Sequence, residues 1–168
     1  GIPEYRLPKD EVLDFEIQGI LDMGVDHHLN TSLGKDFTIE SLQADGFDAI
    51  LLAMGAWGSR SMRVDGEDLE GVSSGTDFLI KRGLEEETPV GDHVIVIGGG
   101  NTAIDAARTS WRLGAKEVTV LYRRGRTEMP ANDIEVVEAD HEGVKFHFLA
   151  APSKFEGEDG NVRTMEYI

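Results

Sequence analysis

Two short stretches of the chain carry residue types whose spacing could do chemistry. The first is Gly98-Gly99-Gly100-Asn101-Thr102-Ala103. Its spacing Gly98-x-Gly100-x-x-Ala103 fits the dinucleotide-binding fingerprint with alanine at the third position. Glycines let a backbone turn sharply and approach a ligand that any Cβ would hold off. The amides that open the following helix, together with its dipole, favour a diphosphate. The second stretch is Arg123-Arg124, with Arg126 close behind. A site for NAD usually carries Asp or Glu at this strand end, accepting hydrogen bonds from the ribose hydroxyls. Arginine instead offers a planar fork of donors, which suits the 2′-phosphate of NADP. The competing reading is that these arginines are merely solvated. Against it stands their position, where the adenosine ribose should lie.

The elements needed to hold these groups are legible around them. His93-Val94-Ile95-Val96-Ile97 reads as a strand buried on both faces. Ala103, Ile104, Ala107, Trp111 and Gly114 recur at helical spacing, so the glycine turn opens a helix that Gly114 ends. Glu117-Val118-Thr119-Val120-Leu121-Tyr122 follows as a second apolar strand, delivering the arginines at its end. The fold class is therefore α/β, a Rossmann-like dinucleotide-binding domain.

Composition narrows the function class. The 168 residues carry a formal charge of −16, which argues against nucleic acid or an anionic membrane as partner. Against that background the three arginines form a local basic island. No apolar run approaches a membrane-spanning length and no signal peptide is legible, so a cytoplasmic setting is expected. There is no cysteine, hence no disulfide, CxxC pair or cysteine-ligated cluster within these residues. His27 and His28 would point to opposite faces of a strand, while His93, His141 and His147 are scattered, so no metal site is expected. No nucleophile, histidine and carboxylate arrangement emerges, and no catalytic residue is assigned. Asp105 is ambiguous: it could face the nicotinamide side or pair with Arg108 one turn along the helix.

Elsewhere, Val12 to Leu21 reads as an amphipathic helix with a glycine stop at Gly24, and Val25–Leu29 as a short strand. Thr38 could cap a short helix over Ile39 and Leu42, and Phe47 to Ala56 reads as a buried strand closing in small residues. Phe78, Leu79, Ile80 and Leu84 suggest a short helix inside an acidic crossing segment. After the arginines come a helix ending near Gly143, a strand over Val144–Leu149, and a hairpin around Glu158-Asp159-Gly160.

With these stretches in hand, the chain resembles the small, β-type subunit of NADPH-dependent glutamate synthase and its flavin-dependent relatives. Those relatives include the amino-terminal half of dihydropyrimidine dehydrogenase and the NADPH-handling subunit of electron-bifurcating transhydrogenases. The resemblance rests on Gly1-Ile2-Pro3-Glu4-Tyr5-Arg6-Leu7-Pro8, on Ala53-Met54-Gly55-Ala56, on the glycine loop, and on Tyr122-Arg123-Arg124 followed by Glu128-Met129-Pro130-Ala131. It implies a flavoprotein with two dinucleotide-binding domains, in which NADPH reduces FAD and electrons pass to iron–sulfur centres. It places Arg6 and the backbone near Ser32 along FAD, Gly55 at the cofactor-binding point where the chain leaves the FAD domain, Gly99 to Ala103 on the NADP diphosphate, and Arg123 and Arg124 on its 2′-phosphate. Met54 stands where the family commonly has threonine.

The resemblance also implies a division into a partial FAD-domain segment over 1–60, a crossover linker over 61–91 and an NADP(H)-binding domain over 92–168 that is incomplete at its end. The family's first FAD fingerprint and its iron–sulfur segment would lie outside this chain, which is expected to be an excised piece, inactive alone. Its partners would be the rest of the FAD domain and an iron–sulfur subunit or domain. Uncovered apolar surface in the first 55 or so residues predicts self-association or disorder there. Two alternatives remain open: a non-catalytic NADP-binding or regulatory module, and an assembly segment whose glycine loop is only structural.

Overall fold

A computed structural model describes all 168 residues, and they divide into two units: Pro8–Trp57, and Gly1–Leu7 together with Gly58–Ile168. The chain thus enters the second unit, leaves it after seven residues and returns at Gly58.

In the Pro8–Trp57 unit a π-helical turn, Lys9–Leu13, runs into helix α1, Asp14–Leu21, and Gly24 follows at φ 91°. Helix α2, Ile39–Ala44, starts where expected: Thr38 accepts a hydrogen bond from Ser41 N–H, and Ser41 Oγ accepts one from Thr38 N–H. The two strands expected here are absent. Val25–Leu29 and residues 47–56 form no ladder, and Leu51 is 90% exposed. Their apolar runs satisfy the local condition for a strand, but strand structure exists only through pairing, and no segment of this unit lies alongside to accept it.

The other unit is built on a three-stranded parallel sheet. Helix α3, Gly75–Gly83, is capped by Ser74, whose hydroxyl accepts from Asp77 N–H. Strand β1, His93–Ile97, leads through the glycine turn into helix α4, Asn101–Arg112. Strand β2, Glu117–Tyr122, helix α5, Asp133–His141, and strand β3, Lys145–Phe148, complete two β-α-β crossovers in the sheet order β1-β2-β3. This is half of a doubly wound dinucleotide fold. Strands β4, Pro152–Glu158, and β5, Asn161–Tyr167, form the expected hairpin, with Asp159 and Gly160 both at positive φ as a type I′ turn requires.

Packing follows the period of each element. Ile104 and Ala107 of α4, Val118 and Val120 of β2, and Val136 and Ala139 of α5 are buried in one cluster against which Val94 and Val96 pack. The opposite side of β1 is more open than expected: Ile95 is 49% exposed. Strand β1 is bonded to β2 alone, and the hairpin covers the outer face only in part, so burial on both faces does not hold. The loop before α3 docks on the hairpin, with Phe155 N–H donating to Asp65 O and Val162 N–H to Glu70 O. No helix is long and apolar enough to cross a membrane.

Candidate functional site

Parallel pairing puts the carboxyl ends of β1 and β2 side by side, with Ile97 opposite Leu121. Gly98 extends the ladder by donating its N–H to Leu121 O at 3.0 Å. The glycine loop and the Arg123-Arg124 turn therefore leave the same edge of the sheet from neighbouring strands.

Each glycine of the loop answers a different demand. Gly98 sits at φ 142°, and a Cβ on it would lie 3.2 Å from Ala103 Cβ, which explains a small residue at the third fingerprint position. Gly99 is buried, and its missing Cβ would fall 2.6 Å from Tyr122 Cε2. Gly100 caps α4 with extended backbone and no side-chain bond. A Cβ there would meet nothing nearer than Pro130 Cγ at 4.0 Å, so the space above this residue is open. Helix bonding resumes only where Ala103 and Ile104 N–H both reach Gly100 O. The amides of Gly99, Gly100, Asn101 and Thr102 donate to no protein acceptor. Such a run of unpartnered donors at a helix start fits a diphosphate in number and sign.

Arg123 and Arg124 are exposed and neither is paired with a carboxylate. Their backbone, by contrast, is fixed: Ala150 N–H donates to Tyr122 O and Leu149 N–H to Arg124 O, each at 3.2 Å. Arg126 makes a long contact to Asp133, 3.5 Å. Glu128-Met129-Pro130-Ala131 carries no role legible in its residue types, and the fold supplies one. The segment returns from the arginine turn to the glycine loop. Tyr122 Oη donates to Glu128 O at 2.9 Å, Ala131 N–H to Gly99 O at 3.0 Å, and Asn132 N–H to Asn101 Oδ1 at 2.9 Å. Met129 and Ala131 anchor it in the core. Asn101, expected on the nucleotide, thus gives its carboxamide oxygen to the protein, and its backbone N–H and carboxamide NH2 remain free.

Asp105 does not pair with Arg108. Its carboxylate takes a forked pair of bonds from Arg6 Nη1, at 2.8 and 3.0 Å, and not from Arg108. Arg6 Nε also lies 3.2 Å from Glu135. Arg108 turns to α5 instead, paired with Glu135, with Glu138 at 2.8 Å and with Glu142 at 2.7 Å. One helical turn fits an Asp105–Arg108 pair locally, but α5 packed against α4 offers Arg108 three carboxylates. Glu142 is shared with Arg112 and held down to about 2 by the hydrogen bonds of the two guanidiniums. Tyr5 stacks on Arg112, 3.9 Å from ring centre to guanidinium, and on Arg108 at 4.8 Å. Burial, then the Asp105 charge, pushes its hydroxyl up to about 12, and the oxygen has no hydrogen-bond partner. Ser32 and Gly55 lie in the Pro8–Trp57 unit, both exposed. Ser32 N–H donates to Asp36 Oδ2, and Gly55 is at φ 70°. Neither stands in a built cradle.

A cleft of about 240 Å³ between the outer face of the sheet and the hairpin is lined by His93, Ile95, Thr119, His147, Met165 and Tyr167, and it contains no residue of the glycine loop. No cluster of three or more acidic, histidine or cysteine side chains is arranged to hold a metal ion.

The pyridine nucleotide-disulphide oxidoreductase family model matches residues 13–167. The chain belongs to this family. Despite the family's name, no residue here can form a disulfide, since the chain has no cysteine. The chain is 44% identical over 171 residues to the NADP(+)-dependent formate dehydrogenase subunit beta of Moorella thermoacetica, covering 100% of this chain and 24% of that one. It is 38% identical over 167 residues to the glutamate synthase [NADPH] small chain of Escherichia coli, covering 93% and 35%. The resemblance to glutamate synthase small subunits therefore holds, and the chain spans about a quarter to a third of the length of these relatives. Among solved structures, a point mutant of FprA from Mycobacterium tuberculosis superposes with a TM-score of 0.74 at 18% identity, covering 94% of this chain and 51% of that one. That likeness supports the family's FAD/NAD(P)-binding α/β fold.

Proposed function

We propose that this chain supplies the NADP(H)-binding portion of an FAD-dependent oxidoreductase of the glutamate synthase small-subunit type, which moves hydride from NADPH to flavin and electrons on to iron–sulfur centres. The observation that carries this reading is the juxtaposition of four unpartnered amides, Gly99 to Thr102, with the unpaired Arg123 and Arg124 on the adjoining strand end. The amides bind the diphosphate. Gly100 lets it approach, and the arginines take the 2′-phosphate. FAD, when bound, supplies the exchange between hydride and single electrons. This chain's residues orient the nucleotide and balance its charge, and none acts as a nucleophile or acid. Arg6, Ser32 and Gly55 are carried toward FAD by the resemblance, and Arg6 would have to release Asp105 or Glu135 to reach it. The same reading keeps 1–60 as part of an FAD domain, 61–91 as a crossing and 92–168 as the NADP(H) domain, in a cytoplasmic setting.

Calorimetric titration with NADPH and NADH tests this. Preference for NADPH that Arg123→Ala reduces is the expected result, and equal binding of the two nucleotides by the unaltered protein overturns it. The names of the relatives, one a formate dehydrogenase subunit and one a glutamate synthase chain, support the oxidoreductase class while differing in the terminal reaction.

A further inference from the structure

We propose that Tyr122 and the strap Glu128–Asn132 determine nucleotide specificity, by clamping the turn that bears Arg123 and Arg124 at a set position relative to the glycine loop. The inference rests on the NADP(H) reading of that site and names residues that neither family membership nor the fingerprint assigns.

Reading a 2′-phosphate demands a set span between the groups that hold the diphosphate and those that hold the adenosine phosphate. Long arginine side chains on a loose loop would lose much of their binding energy to ordering. Here the turn is locked at both ends. Gly125 N–H donates to Glu128 Oε2 at 2.8 Å, and Glu128 N–H returns to Gly125 O at 3.1 Å. Tyr122, the residue immediately before Arg123, crosses the turn to donate its hydroxyl to Glu128 O. The strap then runs to the glycine loop, where Gly99 O and Asn101 Oδ1 receive Ala131 and Asn132 N–H. The face of the Tyr122 ring fills the place of a Cβ on Gly99. One side chain therefore touches both halves of the site, by its ring on the diphosphate side and by its hydroxyl on the arginine side. The arginine side chains themselves stay exposed and unpaired, so the locked backbone serves no ion pair of their own.

The two ends of the strap differ in what they should control. Tyr122→Phe keeps the ring against Gly99 and removes only the bond to Glu128 O. Asn101→Ala removes one of the two bonds that tie the strap to the glycine loop, that from Asn132 N–H, and loosens the loop whose diphosphate contact is common to both nucleotides. In the full-length protein we expect Tyr122→Phe to raise the Kd for NADPH about threefold to tenfold while changing that for NADH less than about twofold. We expect Asn101→Ala to weaken both. Kd values from fluorescence titration, with melting temperature followed in parallel, read the outcome. Equal weakening of both nucleotides by Tyr122→Phe, or no change in either, overturns the proposal and leaves the NADP(H) reading intact. Unaltered protein that does not distinguish NADPH from NADH removes that reading and the clamp with it.

Discussion

The ring of Tyr122 lies where a side chain at Gly99 would begin, 2.6 Å from the position of a Cβ there, so the middle glycine of the loop is demanded by packing and not by a ligand. Gly99→Ala should therefore destabilise the fold, by about 1–3 kcal/mol as overpacking does, read as a lower midpoint in urea. Gly100→Ala should leave that midpoint nearly unchanged, because its Cβ has open space and its backbone is extended, yet abolish the gain in melting temperature on adding NADPH. Equal midpoints for the two variants would contradict this division of labour.

Arg123 and Arg124 have no carboxylate partner to lose, so their removal should cost binding and not stability. Each alanine substitution should weaken NADPH by about tenfold, the scale of one charge-assisted contact, and leave NADH and the unfolding midpoint alone. Rising salt should shrink the difference between the nucleotides.

Glu142 makes stability depend on pH in a definite direction. Its carboxyl titrates at about 2 in the fold against an ordinary value of 4.5, so it stabilises the folded state above pH 4.5. That contribution drains away as pH falls from about 4.5 to about 2, and it amounts to about 1–3 kcal/mol for this partly exposed group. Glu142→Gln should flatten the profile of unfolding free energy in that window and leave its slope above pH 5 unchanged.

Arg6 is the cation of a buried carboxylate. Arg6→Ala leaves Asp105, 6% exposed, without its forked donor, and should cost about 1–3 kcal/mol in chemical denaturation. Arg6→Lys should recover only part of this, since an ammonium cannot reach Asp105 and Glu135 with a planar fork. Full recovery by lysine would show that charge alone matters there.

Phe15, Met23 and Leu51, at 77%, 79% and 90% exposure, leave the Pro8–Trp57 unit with much uncovered apolar surface. The isolated chain should associate at micromolar concentrations, with sedimentation coefficients rising on concentration, and Phe15→Ser with Leu51→Ser should lower that tendency. A concentration-independent monomer would contradict it.

What could be read from the sequence was what neighbouring residues decide. The alternation and turn chemistry of β1, α4, β2 and the β4–β5 hairpin lie within short windows, and so does the step from the last residue of β2 to Arg123. Thr38 and Gly114 likewise signal their helix ends by local chemistry. Strand pairing for Val25–Leu29 and 47–56 needs a neighbour, and their composition carries no sign of whether one is present. The Asp105–Arg108 pair fails for the same reason: the partner Asp105 takes, Arg6, is 99 residues away. The hydroxyl of Tyr122 escaped notice because an apolar strand with a terminal tyrosine gives no hint that its oxygen is spoken for.

The excursion of the chain between Leu7 and Gly58 has a practical consequence. The unit bearing the glycine loop is assembled from two pieces of sequence, so excising it from Gly58 onward would remove Tyr5 and Arg6 from beneath α4 and α5. A transplantable version would have to carry the first seven residues along, joined by a linker that replaces the inserted unit, and it would be recognised by regaining the Asp105 counter-ion.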